Sequence, residues 1–196
     1  MKKENSLMIR SVVVLALIAL VCVGILAVAN EFLQYTPVLD RKTADILAEM
    51  VPVESEDPME AFELCDLAKE IKAVNKEYGR GENKKVLAVY KTLNGASKGA
   101  LIVQSQAKGN DGAVVMLTAI KDGTVLKIRC YSQGESYWGN VKEESFERVN
   151  GSRGEIDPNL IAATGATNSK KAIVEAVNLA IKAAEELGKT TEAGNE

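Results

Sequence analysis

Histidine is absent from the 196 residues, and tryptophan occurs only once. Without an imidazole there is no Ser-His-Asp or Cys-His machinery, no histidine general base, and little basis for a haem or transition-metal site. Phosphate-loop and Gly-x-Gly-x-x-Gly fingerprints are also missing, and Ser169-Lys170 is not a Ser-x-x-Lys arrangement. Glu135, Glu143, Glu144 and Glu147 cluster, but at helical spacing they read as a solvated face. An independent catalytic centre made of side chains is therefore disfavoured, which leaves a bound cofactor or a binding role. No run of Lys and Arg is large enough for a nucleic-acid groove, so no nucleic-acid partner is expected.

Charge is missing from one stretch altogether. Val12 to Ala29 reads VVVLALIALVCVGILAVA, 18 residues without an ionisable acid or base. As a helix it would extend about 27 Å, near the roughly 30 Å of a bilayer's hydrocarbon core. Lys2, Lys3 and Arg10 precede it and Glu31 follows. The positive-inside rule then gives a cytoplasmic segment 1–11, a transmembrane helix 12–30 and an extracytoplasmic remainder, in a single-pass cell (inner) membrane protein. A signal peptide cleaved after Ala29 is the alternative, although the apolar run exceeds the usual h-region of about 7–15 residues. Without Lys2, Lys3, Arg10 and Glu4, the totals of 24 basic and 27 acidic residues fall to 21 and 26, a net charge of −5. Cys22 lies in the apolar run. Cys65 and Cys130 either pair outside the cytoplasm or remain two buried thiols; the sequence leaves both open.

Beyond the run, residues 31–84 read as a helical linker leading into an extracytoplasmic domain. Pro37 suits the first turn of a helix that Pro52 stops. Phe62–Val74 has mixed helical character, and Tyr78–Lys84 is a loop. From Lys85 the pattern changes. KVLAVYKTL, ALIVQSQA, AVVMLTAI and TVLKIRCYS are four β-rich runs, and Asp122-Gly123 between the last two signals a hairpin. A helix over Ser169–Leu187, with Ile173, Ala176, Val177, Ala180, Ile181 and Ala184 on one face, can cover the sheet. The predicted class is α+β: an antiparallel sheet packed by helices in a compact domain over 85–187, then a disordered tail at 188–196. Between strand and helix, Gln133–Val149 holds Tyr137, Trp138 and Phe146. These rings either plug the sheet edge or line a binding loop.

The helix start carries more polar residues than a cap requires. Thr164-Gly165-Ala166-Thr167-Asn168-Ser169 runs into Lys170 and Lys171. One hydroxyl suffices to cap a helix. A helix N-terminus behind a glycine turn is also an anion site, and lysines in the first turn, where the dipole prefers acids, suit a bound phosphate. Both readings stand on the residues alone.

The same residues resemble the Ser/Thr-Gly-Ala-Thr-x-Ser/Thr signature of the RnfG/NqrC FMN-binding domain family. In that family the final threonine of the triplet carries FMN through a phosphoester installed by a flavin transferase. The resemblance implies covalent FMN on Thr167, with Thr164, Gly165, Ala166, Ser169 and Lys170 around it. It extends over most of the chain: the N-terminal span, Leu47-Ala48-Glu49-Met50-Val51-Pro52 as a Leu/Ile-Ala-Glu-x-x-Pro helix end, and AIKDGTVLKI at the family's Asp-x-x-Gly-x-Ile turn. Glu135 and Ser136 match the start of the family's flavin-contacting Glu-Thr-Pro-Gly loop, where this chain then has Tyr137-Trp138-Gly139. Chain length favours an RnfG-type subunit. The implied role is electron relay in an Rnf complex that couples ferredoxin:NAD electron transfer to translocation of Na⁺ or H⁺. The implied partners are the membrane subunits RnfA, RnfD and RnfE and the soluble RnfB and RnfC, with the lipid bilayer around the span. The alternatives are an NqrC-like subunit of the Na⁺-translocating NADH:quinone reductase and a flavin-free, membrane-tethered assembly module.

Overall fold

The computed structural model describes residues 12–26 and 37–193. The expectations for residues 1–11, the end of the apolar run, the start of the linker and the last three residues lie outside that range. The chain divides into two units, Met1–Pro37 and Val38–Glu196. In the first, α1 spans residues 12–26, and every large apolar side chain from Val12 to Leu26 on it is exposed. These 15 helical residues measure about 22 Å. Among the described residues, no helix is long and apolar enough to cross a membrane.

The second unit is an α+β fold. A five-stranded antiparallel sheet runs in the order β1-β2-β3-β4-β5: Phe62–Leu64, Lys84–Thr92, Leu101–Lys108, Ala113–Lys121 and Thr124–Gln133. The four long strands follow the β-branched runs of the sequence closely. β4 and β5 join through Asp122 and Gly123, both at positive φ, with Lys121 paired to Thr124. That is the two-residue turn whose twist matches the flanking strands. β1 departs from the helical character expected of Phe62–Val74. Three residues cannot form a strand unaided; they do so by pairing with Thr92, Lys91 and Tyr90 of β2, and the helix begins only at α4, Ala68–Tyr78. The Asn75 side chain then clips α4 to β2 through both the N–H and the C=O of Val86.

Both faces of the sheet are covered, so β4 is buried without a break from Val114 to Ile120. One face packs under α5, Thr167–Ala193, which lies over β3 and β4. Ala172, Ala176, Ala180, Ala183 and Ala184 line its inner side with Ile173, Val177, Leu179 and Ile181. Small residues let helix and sheet approach closely enough for the Ser105 hydroxyl to donate to the C=O of Ala176 at 2.8 Å. The helix starts two residues before Ser169 and continues past Gly188, a residue that costs only about 1 kcal/mol inside a helix.

The opposite face carries α2, Arg41–Met50, through Leu47, Met50 and Val51 against Ala88, Tyr90, Ile102, Leu117 and Ala119. Its N-cap is Asp40, which accepts from the Thr43 N–H at 2.8 Å, so the helix begins four residues after Pro37. Its C-terminal end faces cations of β5. Lys127 Nζ donates to the C=O of Glu49 at 2.9 Å, and Arg129 pairs with the Glu49 carboxylate. A short helix α3, Pro58–Ala61, leads into β1.

Cys65 follows β1 at one edge of the sheet and Cys130 lies on β5 at the other. Four strand spacings separate them, roughly 19 Å. A disulfide needs Cα atoms about 4.4–6.8 Å apart, so the pairing left open by the sequence is excluded and both thiols are free. Burial raises both thiols above their ordinary pKa, Cys130 to about 12 with Glu143 adding to the shift.

The core also contains a polar orphan. Thr118 is fully buried in the α5-facing layer of β4, and its hydroxyl has no hydrogen-bond partner. Replacement by an isostere that lacks the hydroxyl removes a desolvation cost, whereas removing the bonded Ser105 hydroxyl loses a buried hydrogen bond to the Ala176 carbonyl. Thr118→Val should raise the unfolding free energy by about 1 kcal/mol and Ser105→Ala should lower it by about 1 kcal/mol, read by urea denaturation.

Candidate functional site

At one end of the sheet three connections meet. The β3–β4 turn is Gly109-Asn110-Asp111-Gly112, the exit of β5 is Gly134 to Asn140, and the entry to α5 is Thr164 to Ser169. What joins them is Glu135. Its carboxylate accepts the backbone N–H groups of Asn110 at 3.1 Å, Asp111 at 2.9 Å and Gly112 at 3.0 Å, and the Ser169 hydroxyl at 2.6 Å. Asp111 returns the connection by accepting the N–H of Ser136 at 3.1 Å.

Glycine makes this seat possible. A Cβ on Gly109 would collide with the Glu135 carboxyl, and one on Gly112 would approach the Gly134 carbonyl to 2.8 Å. Glu135 is thus not a member of the solvated glutamate face expected from its spacing. It is 7% exposed, while Glu143, Glu144 and Glu147 are exposed on a separate 3-10 helix, Glu143–Val149. Burial alone would push the Glu135 carboxyl up. The Ser169 hydroxyl and the N–H groups of Gly112, Asn110 and Asp111 outweigh it and bring the carboxyl down to about 2. It is an internal anion at neutral pH.

The α5 entry is held from its other side by the segment after β5. Thr164 N–H donates to the C=O of Asn140 at 3.1 Å, Lys142 N–H to Ala162 at 2.9 Å, and Ala162 N–H to the buried Ser145 hydroxyl at 2.9 Å. Gly165 then turns the chain with φ +73, a conformation open to glycine and strained for other residues. The first helical bond of α5 runs from Lys170 N–H to the C=O of Ala166 at 2.9 Å. The N–H groups of Thr167, Asn168 and Ser169 precede it and are the helix's open donors. The polar side chains nearby are engaged elsewhere: Ser169 with Glu135, and Asn168, through its amide, with Asn110 at 3.1 Å. Simple capping therefore does not account for the composition of this helix start.

Between these segments lies a cavity of about 300 Å³ lined by Asn110, Glu135, Tyr137, Gly165, Ala166, Thr167, Asn168 and Ser169. Of the residues expected at the site, Glu135, Gly165, Ala166, Thr167 and Ser169 share its wall. Thr164, Ser136 and Lys170 stand beside it without lining it: Thr164 and Ser136 are exposed, and Lys170 is half-buried in the first turn. Asn110 and Asn168 line the wall without having been singled out as site residues, and Tyr137 joins them from the loop whose role the sequence left open. Asn110 comes from a turn whose only sequence signal is two glycines flanking Asn-Asp. The rings of Gln133–Val149 divide between the two roles weighed for them. Phe146 is buried and Trp138 packs against the core with its Nε1 donating to Glu143 at 2.7 Å, whereas Tyr137 is 60% exposed.

The wall suits a phosphorylated ligand: open helix N–H donors, an exposed threonine, Thr167, at the first position of the helix, and a glycine that leaves the backbone approachable. The Glu135 carboxylate is spent on the β3–β4 turn and the Ser169 hydroxyl.

Because the Glu135 carboxyl titrates far below the ordinary carboxylate value of 4.5, its contribution is fully present above pH 4.5 and is lost as pH falls toward about 2. Stability should therefore fall across that window by on the order of 2 kcal/mol, after allowance for solvent screening. Glu135→Gln, whose amide nitrogen must face a donor, should remove this pH dependence and already show the loss at pH 7. Urea denaturation at stepped pH reads both outcomes.

No curated protein matches the chain. Residues 109–182, which begin at the glycine turn and include Glu135, Tyr137 and the start of α5, match the family model described as an FMN-binding domain.

Proposed function

We propose that the domain carries FMN as a phosphoester on Thr167 and serves as the flavin-bearing electron-transfer subunit of an Rnf-type membrane complex. The observation that carries this reading is the placement of Thr167. It is exposed as the first residue of a 27-residue helix, on the wall of the cavity, within the segment that matches the FMN-binding domain. FMN supplies electron transfer through its isoalloxazine ring.

The chain's own groups hold and orient it. Thr167 Oγ is the attachment point, and the N–H groups of Thr167, Asn168 and Ser169 with the positive end of the α5 dipole face the phosphate. Lys170 and Lys171 lie in the same first turn and add positive charge to it. Glu135 fixes Ser169 and the Asn110–Gly112 turn, so the cavity wall needs little rearrangement to receive the ligand. A tethered ring is kept at a fixed position, which serves electron transfer between bound centres. On this reading the apolar stretch that includes α1 anchors the domain in the cell membrane with the domain outside. RnfA, RnfD, RnfE, RnfB and RnfC are its assembly partners, a flavin transferase matures it, and ion movement belongs to multi-span subunits.

The test is expression of the full chain with and without a flavin transferase. The peptide containing Thr167 should gain the mass of an FMN phosphoester, and the denatured band should fluoresce, only with the transferase. Thr167→Ala should abolish both signals with unchanged urea stability. A dark wild-type band in the presence of the transferase would refute the reading.

A further inference from the structure

We propose that Tyr137 is the face on which the flavin ring lies, so that its phenol positions the isoalloxazine over the cavity; this rests on the FMN reading above. The cavity wall divides by chemistry. Asn110, Thr167, Asn168 and Ser169 present amides, hydroxyls and open N–H groups, which suit a phosphate and polar substituents. Among the described residues, Tyr137 is the only aromatic on that wall and its one large apolar surface. A planar heteroaromatic ligand needs such a surface, because offset stacking and area burial bind its face while hydrogen bonds read its edge.

Tyr137 also differs from the other rings of its loop. Phe146 is 5% exposed and Trp138 is packed on the core and tied to Glu143, but Tyr137 stands 60% exposed. Among the described residues of the second unit, the other exposed large hydrophobics are Val38 and Leu93, which are not on the cavity wall. The backbone around Tyr137 is nonetheless fixed. Glu135 is seated in the β3–β4 turn two residues earlier, the Trp138 N–H donates to the Glu135 C=O at 3.3 Å, and the Asn140 N–H donates to the Tyr137 C=O at 3.0 Å. An exposed ring on a held backbone at the mouth of a polar cavity is pre-organised for a flat partner.

The experiment uses the full chain matured with a flavin transferase, as wild type, Tyr137→Phe and Tyr137→Leu. Fluorescence of the denatured band first measures flavin load. Flavin fluorescence of the native protein is then compared with that of the same sample unfolded in guanidinium, because a phenol in contact with an excited flavin quenches it. Induced visible circular dichroism reports whether the ring is held in a fixed orientation. At equal load, native Tyr137→Leu should be several-fold brighter than wild type and lose most of its induced dichroism. Tyr137→Phe, which still stacks but is a poor quencher, should be brighter while keeping the dichroism. Leucine and wild-type proteins of equal load, brightness and dichroism would overturn the role of Tyr137 and leave the FMN reading intact. A wild-type chain without bound flavin would overturn both.

Discussion

A carboxylate that is nine-tenths buried, with no cation beside it among the described residues, would ordinarily be a liability. Here Glu135 is satisfied by four donors from two other segments, three N–H groups of a glycine-flanked turn and one serine hydroxyl from a helix start. The β3–β4 turn, the exit of β5 and the beginning of α5 are consequently one object. The cavity exists because those three segments are held apart at a set distance. It follows that Gly109 and Gly112, which touch nothing in the cavity themselves, are as necessary to its shape as the residues that line it.

The site also depends on the sheet being covered twice. α5 can deliver Thr167 to the end of the sheet only because its alanine-rich inner side lies close along β3 and β4, and Ser105 marks the register of that approach. α2 closes the other face and ties itself to β5 through Lys127 and Arg129, which steadies the strand that leads into Glu135. Hydrophobic area supplies the drive for both layers, while a few polar contacts fix where each helix rests.

Legibility in the sequence followed the range of the interactions. The four long strands, the Asp122-Gly123 turn and the amphipathic helix were readable because periodicity and turn chemistry act within a few residues. β1 was not, since Phe62-Glu63-Leu64 has no pattern of its own and becomes a strand only beside β2. The extent of α5 was misjudged at both ends, where a glycine and a polar turn give weak local signals. At the site, Gly165, Ala166, Thr167 and Ser169 stood out as a compact motif, but the burial of Glu135 did not. Its spacing to Glu143 and Glu147 imitates a solvated face, and its true partners lie more than twenty residues away, upstream in the β3–β4 turn and downstream at Ser169. Asn110 was missed because it belongs to a plain turn, and Tyr137 was left between packing and binding because its neighbouring rings serve as packing.

The two cysteines of the second unit have a consequence for where such a domain can be made. They occupy opposite margins of the sheet, beyond each other's reach, and burial keeps both protonated at neutral pH. The native state therefore contains no covalent staple to be formed, reshuffled or reduced. Its folding is indifferent to the oxidant supply of the compartment, and thiol chemistry leaves no imprint on the cavity at the far end of α5.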